Sequence, residues 1–148
     1  DTVYGSVGKG YLITGVDRLS RQFVAAIAKD KKLESTNSAF ISAFANAEIK
    51  VQPLTLTLDN GTEFLGFKEL EKELGIKVYF ADSHSPWQRG SNENINGLVR
   101  FFFPRGTDFN KVTQEQLDAV VSLINNRPRK CLGFLSPNDF LKKVLHLA

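Results

Sequence analysis

The apolar pattern of this chain changes period part-way along, and the order of the change restricts the fold more than any other feature. Tyr11-Leu12-Ile13-Thr14-Gly15-Val16 and Gln22-Phe23-Val24-Ala25-Ala26-Ile27 are extended, β-rich runs joined by the polar Asp17-Arg18-Leu19-Ser20-Arg21. Asp1-Thr2-Val3-Tyr4, closed by Gly5, reads as an earlier strand. The spacing of Phe40, Ile41, Phe44 and Ala47 then predicts a helix, starting near the cap-type residues Ser35-Thr36-Asn37. Leu54-Thr55-Leu56-Thr57-Leu58 alternates strictly, as a strand with one apolar face does, and stops at the turn signature Asp59-Asn60-Gly61. A helix through Phe67, Leu70 and Leu74 follows, then a short strand at Val78-Tyr79-Phe80. Helices at about 90–103, 113–125 and 137–147 close the chain, the second with Thr113 and Gln116 as a capping box, the last opened by Ser136, Pro137 and Asp139. Three strands in succession, then alternation, then helices describe an α/β layered domain with a mixed sheet.

Composition sets limits on function. Of the 148 residues 42% are hydrophobic and twelve are Phe, so disorder is excluded. No apolar run reaches the roughly 20 residues of a bilayer span, and no signal-peptide pattern opens the chain, so a cytoplasmic protein without a membrane partner is expected. Cys131 alone cannot build a disulfide framework or a Cys-rich zinc site; it reads as a small buried residue. His84 and His146 are too far apart in sequence for a His cage. The chain begins at Asp1 and lacks methionine, as a fragment or processed product would. Residues 84–148 carry nine Lys and Arg against five Asp and Glu, and a basic half of this kind suits a polyanion.

Two segments carry candidate chemistry. In open α/β sheets, sites gather at the carboxyl ends of strands, where Asp59 lies; a plain Asx turn would explain the same tripeptide. The stretch Pro86-Trp87-Gln88-Arg89-Gly90-Ser91-Asn92-Glu93-Asn94-Ile95-Asn96-Gly97-Leu98 is rich in amides. On a helix turning about 100° per residue, Asn96, Gly97, Arg100 and Arg89 fall within roughly 60° of Glu93, and Ile95, Leu98, Val99 and Phe102 fall opposite. That polar face could be solvated surface with spaced ion pairs. Asn is a poor helix former, however, and amides crowded on one face suit contacts with phosphates and base edges.

These residues resemble the catalytic core of bacterial transposases of the insertion-sequence-thirty family, within the retroviral-integrase-like Asp-Asp-Glu superfamily. The resemblance runs over essentially the whole chain. It is strongest at Thr55-Leu56-Thr57-Leu58-Asp59-Asn60-Gly61-Thr62-Glu63-Phe64, at Tyr79-Phe80-Ala81-Asp82 and at Ser85 to Arg100, with Asn125-Asn126-Arg127-Pro128-Arg129-Lys130 also family-like. The family leaves 33 residues between its second acid and its Glu, the length of 60–92 here. The resemblance implies a ribonuclease-H-like fold, a five-stranded mixed sheet with helices on both faces, in one domain over residues 1–148. It places the helix-turn-helix region that finds DNA ends upstream of Asp1. It makes Asp59 the second catalytic Asp, Glu93 the catalytic Glu and Asp1, before Thr2-Val3, the first; Asp17 competes with Asp1 for that role.

The implied chemistry is cleavage of element ends and strand transfer into target DNA, with Asp1, Asp59 and Glu93 as metal ligands. Two Mg²⁺ ions roughly 3.5–4 Å apart, replaceable by Mn²⁺, would activate the attacking hydroxyl and neutralise the leaving oxygen. The partners implied are double-stranded DNA and further copies of the chain, as a homodimer or larger homo-oligomer. Arg89, Asn92, Asn96 and Arg100 share the face or cap of Glu93 and are candidate DNA contacts. Trp87 could stack on a base or anchor packing. Arg127, Arg129 and Lys130 suit phosphates, or equally the carbonyls of a helix end. His84 is a candidate phosphate or water contact, and Lys29, Lys31 and Lys32 with Asp30 read as a solvated turn. The alternatives are a nuclease or junction resolvase on the same fold, and an inactive remnant that only binds DNA or dimerises.

Overall fold

The computed structural model describes residues 1–82, 85 and 90–146. Its elements are β1 (Thr2–Tyr4), β2 (Tyr11–Val16), β3 (Phe23–Ala28), α1 (Leu33–Ala45), β4 (Thr55–Leu58), α2 (Phe67–Leu74), β5 (Lys77–Phe80), α3 (Gly90–Phe102), α4 (Gln114–Asn125) and α5 (Pro137–Val144). Strands β1, β2 and β3 form an antiparallel meander, with Thr2 opposite Ile13 and Tyr11 opposite Ala28. Strands β4 and β5 pair in parallel, from Thr55 opposite Lys77 to Leu58 opposite Phe80.

Alternation along the meander puts helices on both of its faces. Leu12, Phe23 and Ala25 bury against Ile95 and Val99 of α3 and Leu117 and Ile124 of α4. Their neighbours Ile13, Val24 and Ala26 turn the other way, onto Ala39 and Phe40 of α1 and Leu70 of α2. A strand covered on both sides needs apolar residues at consecutive positions, which is why β2 and β3 read as runs and not as alternation.

The expected single five-stranded sheet needs correction. Among the described residues the strands make two separate sheets, with no ladder between β1 and β4. The β1 pairing ends where Asp1 and Thr14 exchange backbone bonds of 2.8 Å in each direction. Beyond it, Gly15 and Val16 of β2 stand across a cavity of about 400 Å³ from Leu54–Thr57. The apolar face expected for β4 is buried only at its end: Leu58 is 1% exposed and Leu54, on the rim of that cavity, 82%.

Most helix ends follow the sequence signals. Thr113 and Gln116 form the reciprocal capping box, Ser136 accepts from the Asp139 N–H, and Gly75 takes the left-handed conformation that ends α2. The start of α1 differs. It begins at Leu33, and the expected cap residue Asn37 is buried inside the helix. Its amide donates to the Gly66 carbonyl at 3.2 Å and to Glu69 at 3.0 Å, so it ties α1 to α2 instead. Cys131, expected buried, is exposed.

The start of β3 is held from a distance. Asn125, at the end of α4, accepts from the Phe23 N–H at 2.8 Å and donates to the Phe23 carbonyl at 2.9 Å, a two-point amide clasp that stands in for a strand partner. Replacing Asn125 by Ala strands both backbone groups in the core, so urea unfolding should show a loss of about 2–3 kcal/mol. An unchanged midpoint would mean that solvent satisfies Phe23.

Candidate active site

Asp1 stands at the open end of β1, and its carboxylate is gripped from two directions. Oδ1 accepts from the Thr2 N–H at 2.8 Å. Oδ2 accepts from the side-chain amide of Asn96, one turn into α3 from Glu93, at 2.7 Å. The Asn96 carbonyl oxygen in turn accepts from the Thr14 hydroxyl at 3.1 Å. Asn96 therefore joins β1, β2 and α3 at one point, with both ends of its amide used inside the protein. Expected as a DNA contact, it is turned inward onto a candidate catalytic acid.

Asp59 directly follows β4, at the carboxyl end of that strand. Its Oδ1 accepts from the Gly61 N–H at 3.0 Å, an Asx turn. Asn60 anchors the same loop by donating to the Ala81 carbonyl at 3.1 Å, just beyond β5. A Cβ at Gly61 would stand 2.9 Å from Asp59 Oδ1 and 2.7 Å from Glu63 Oε2, so both carboxylates reach over this glycine and a side chain here would displace one of them.

Glu93 lies in the first turn of α3, exposed, with the Ile95 and Val99 face of the helix buried behind it. Asn92 lines the cavity that Asp1 also lines. Arg100, in the last turn, is partly buried; desolvation, reinforced by Arg105, pulls its guanidinium below the usual arginine range. Arg127 and Lys130 are exposed, whereas Arg129 turns inward and donates to the Ile124 carbonyl of α4 at 3.2 Å, the helix-capping role open to it from sequence. Asp17 is occupied by its own turn: one carboxylate oxygen accepts from both the N–H and the hydroxyl of Ser20 at 2.6 Å. Trp87, Arg89 and His84 lie outside the described residues.

The acids Asp1, Asp59 and Glu93 supply hard carboxylate oxygens, the donors Mg²⁺ takes, and their chemistry fits that ion. They are not gathered in this conformation: among the described residues no three Asp, Glu, His or Cys side chains are close enough to hold one ion.

Residues 1–86 match the family model described as integrase core domain, and that span takes in Asp1 and Asp59. The chain belongs to the integrase core domain family. Among curated relatives, it is 39% identical over 146 residues to the transposase for insertion sequence element IS4351 of Bacteroides fragilis, covering 99% of this chain and 44% of the relative. It is 40% identical over 137 residues to transposase InsI for insertion sequence element IS30A of Escherichia coli, covering 93% of this chain and 36% of the relative. The resemblance to insertion-sequence-thirty transposases is thus borne out, over a chain spanning less than half the length of these relatives. The fold matches solved structures too. The catalytic core domain of BIV integrase superposes with a TM-score of 0.67 at 18% identity, covering 99% of this chain and 93% of that one. The simian T-cell lymphotropic virus intasome, in complex with a PP2A regulatory subunit, gives 0.67 at 21% identity over 88% of this chain and 48% of that one.

Within this integrase core, two residues beside the acids were not singled out from sequence. Glu63 sits in the motif after Asp59, and its place two residues past Gly61 was the available signal. Lys31, read as part of a solvated turn, is exposed as that reading expects but also lies over the ring of Tyr4 at 4.2 Å and pairs with Glu63 at 3.6 Å. Nothing local marks it: its neighbour Lys32 makes only an exposed pair with Asp30 at 3.9 Å, as expected.

Proposed function

We propose that this chain is the catalytic core of a DNA transposase: it hydrolyses phosphodiester bonds at the ends of a mobile element and transfers the freed 3′-hydroxyl into target DNA. The observation carrying this reading is the Asp1–Asn96 hydrogen bond, which couples the acid of β1 to the helix bearing Glu93. Membership of the integrase core family and the transposase relatives support it. Asp1, Asp59 and Glu93 would hold Mg²⁺ or Mn²⁺, two ions with DNA bound, which supply Lewis acidity and a water or 3′-hydroxyl nucleophile at neutral pH. The chain's own part is to orient those carboxylates: Asn96 and the Thr2 N–H fix Asp1, and the Asx turn fixes Asp59. No side chain acts as a covalent nucleophile. A resolvase would need the same acids but not the transposase-like motif from Trp87 to Arg100.

DNA is the partner this reading requires, together with other copies of the chain in a homodimer or larger assembly. Phe101 at 84% and Phe134 at 71% exposure are apolar surface for such contacts. A nicking assay on supercoiled plasmid tests the activity: nicked circles should accumulate in millimolar Mn²⁺ and not in EDTA. Nicking that is equal in EDTA would overturn the metal-dependent reading, and no nicking with intact DNA binding would favour the inactive remnant.

DNA binding by these 148 residues should be steeply salt-dependent, because phosphate contacts dominate affinity. Arg127→Ala and Lys130→Ala should each flatten the slope of log affinity against log salt by about one unit. Arg129→Ala should leave that slope in place, since its guanidinium is spent on the Ile124 carbonyl. A slope change at Arg129 equal to the other two would reverse its assignment.

A further inference from the structure

We infer that Glu63 is a positioning residue for the acid Asp59, held in place by Lys31; this rests on the metal-dependent reading above. Glu63 lies in the short 3₁₀ turn Thr62–Phe64 that follows the Asx turn, and it is buried at 8% exposure. A carboxylate in that position needs a partner, and it has two, one on β1 and one in the loop after β3. The Thr2 hydroxyl, one residue from Asp1, donates to Oε1 at 3.3 Å. The Lys31 ammonium, just beyond β3, stands 3.6 Å from the same oxygen.

Lys31 is itself confined. It donates to the Tyr4 hydroxyl and lies over two rings, 4.2 Å from the centre of Tyr4 and 5.6 Å from that of Tyr11. Burial alone would push its pKa down, yet the Tyr4 hydroxyl and the Glu63 carboxylate hold it above the ordinary lysine value. The ammonium thus rests against two rings and the Glu63 carboxylate, with its side chain still 39% exposed.

The geometry matters because no ladder joins β1 to β4 among the described residues. The Lys31–Glu63–Thr2 contact ties the β4 loop to the sheet that carries Asp1. The other Glu63 oxygen, Oε2, leans over Gly61 beside Asp59 Oδ1. Releasing Glu63 lets the loop leave β1, and its unpaired carboxylate then competes for the space Asp59 occupies. The pair therefore sets the separation of Asp1 and Asp59, and it keeps a nearby fourth carboxylate neutralised and out of the metal set.

The test compares Glu63→Gln, Lys31→Met and Lys31→Arg with the wild-type chain, with Asp59→Asn as reference. Lys31→Met keeps the stem packed on the tyrosines while deleting the charge. In EDTA, amide hydrogen exchange of residues 61–65 should quicken about tenfold in Glu63→Gln and Lys31→Met while the α4 amides stay protected, and Lys31→Arg should restore it. By titration calorimetry, Mn²⁺ affinity should fall about 10–100-fold in the first two variants and recover in Lys31→Arg. Unchanged exchange at 61–65 overturns the proposal, as does quickened exchange with wild-type Mn²⁺ affinity. Tighter Mn²⁺ binding in Lys31→Met would also overturn it, by making Glu63 a ligand. If Asp59→Asn binds Mn²⁺ like wild type, the metal reading fails on its own, and the exchange result alone decides whether the clamp exists.

Discussion

Asp59→Asn and Glu93→Gln will each reduce Mn²⁺-dependent plasmid nicking by well over ~100-fold, beyond the ~10–100-fold that loss of a residue supporting a metal ligand costs. The two sites reach this result by different routes. Asp59 is fixed in a tight turn at the end of β4, and an Asn there can keep the bond from the Gly61 N–H, so the backbone survives and only the charge is lost. Glu93 is exposed on the first turn of α3, where a Gln costs the helix little, because the buried face is built by Ile95 and Val99. Both variants should therefore unfold at wild-type urea concentrations while failing to nick. Asp17→Asn is the discriminating control. Its carboxylate oxygen accepts from the Ser20 N–H and hydroxyl, and an Asn oxygen can do the same, so the β2–β3 turn should survive and nicking stay within that ~10–100-fold range. Equal losses at Asp17, Asp59 and Glu93 would overturn the assignment of Asp1 over Asp17.

The contrast between Asp17 and Asp1 shows how much of the site could be read from the chain. Elements with a local cause were legible: the capping box of α4 and the Ser136 cap of α5 are set by residues three apart, and they form as read. The two-sided burial of β2 and β3 was visible in their unbroken apolar runs. What sequence could not show are contacts between residues far apart. Asn125 reaches back across 102 positions to Phe23, and Asn96 across 95 to Asp1. An amide on a polar helix face looks the same in sequence whether it meets DNA, solvent or a carboxylate of another strand. Lys31 is the sharper case. Its place in a run of charges matches that of Lys32, and only the rings of Tyr4 and Tyr11 beside it and the buried Glu63 carboxylate it meets separate its ion pair from the fully solvated one of Lys32. That no ladder joins β1 to β4 among the described residues has the same origin, since strand pairing depends on what stands beside an edge and the edge's own residues do not specify it.

Asn96→Asp should produce the largest change in stability of any single substitution around the site. The variant is nearly isosteric, so packing is preserved, but it brings a second carboxylate to the position where the amide now donates to Asp1 at 2.7 Å. Two like charges about 4 Å apart repel by up to about 4 kcal/mol at the effective dielectric of a protein surface. In EDTA at neutral pH the variant should lose a comparable amount of unfolding free energy. For a domain of this size that corresponds to a fall in melting temperature of roughly 10 °C. Asn96→Ala, which removes the bond without adding charge, should cost only about 1 kcal/mol. The metal response then separates electrostatics from packing. A divalent cation between two carboxylates converts repulsion into attraction, and a ligand at a hundredfold excess over its dissociation constant stabilises the native state by about 2.7 kcal/mol. Millimolar Mn²⁺ should thus return most of the deficit in Asn96→Asp and little in Asn96→Ala. Thermal scans of the two variants with EDTA and with Mn²⁺ read this directly. An Asn96→Asp chain as stable as wild type in EDTA would mean that the Asp1 carboxylate does not sit against α3, and the coupling on which the catalytic reading rests would be lost.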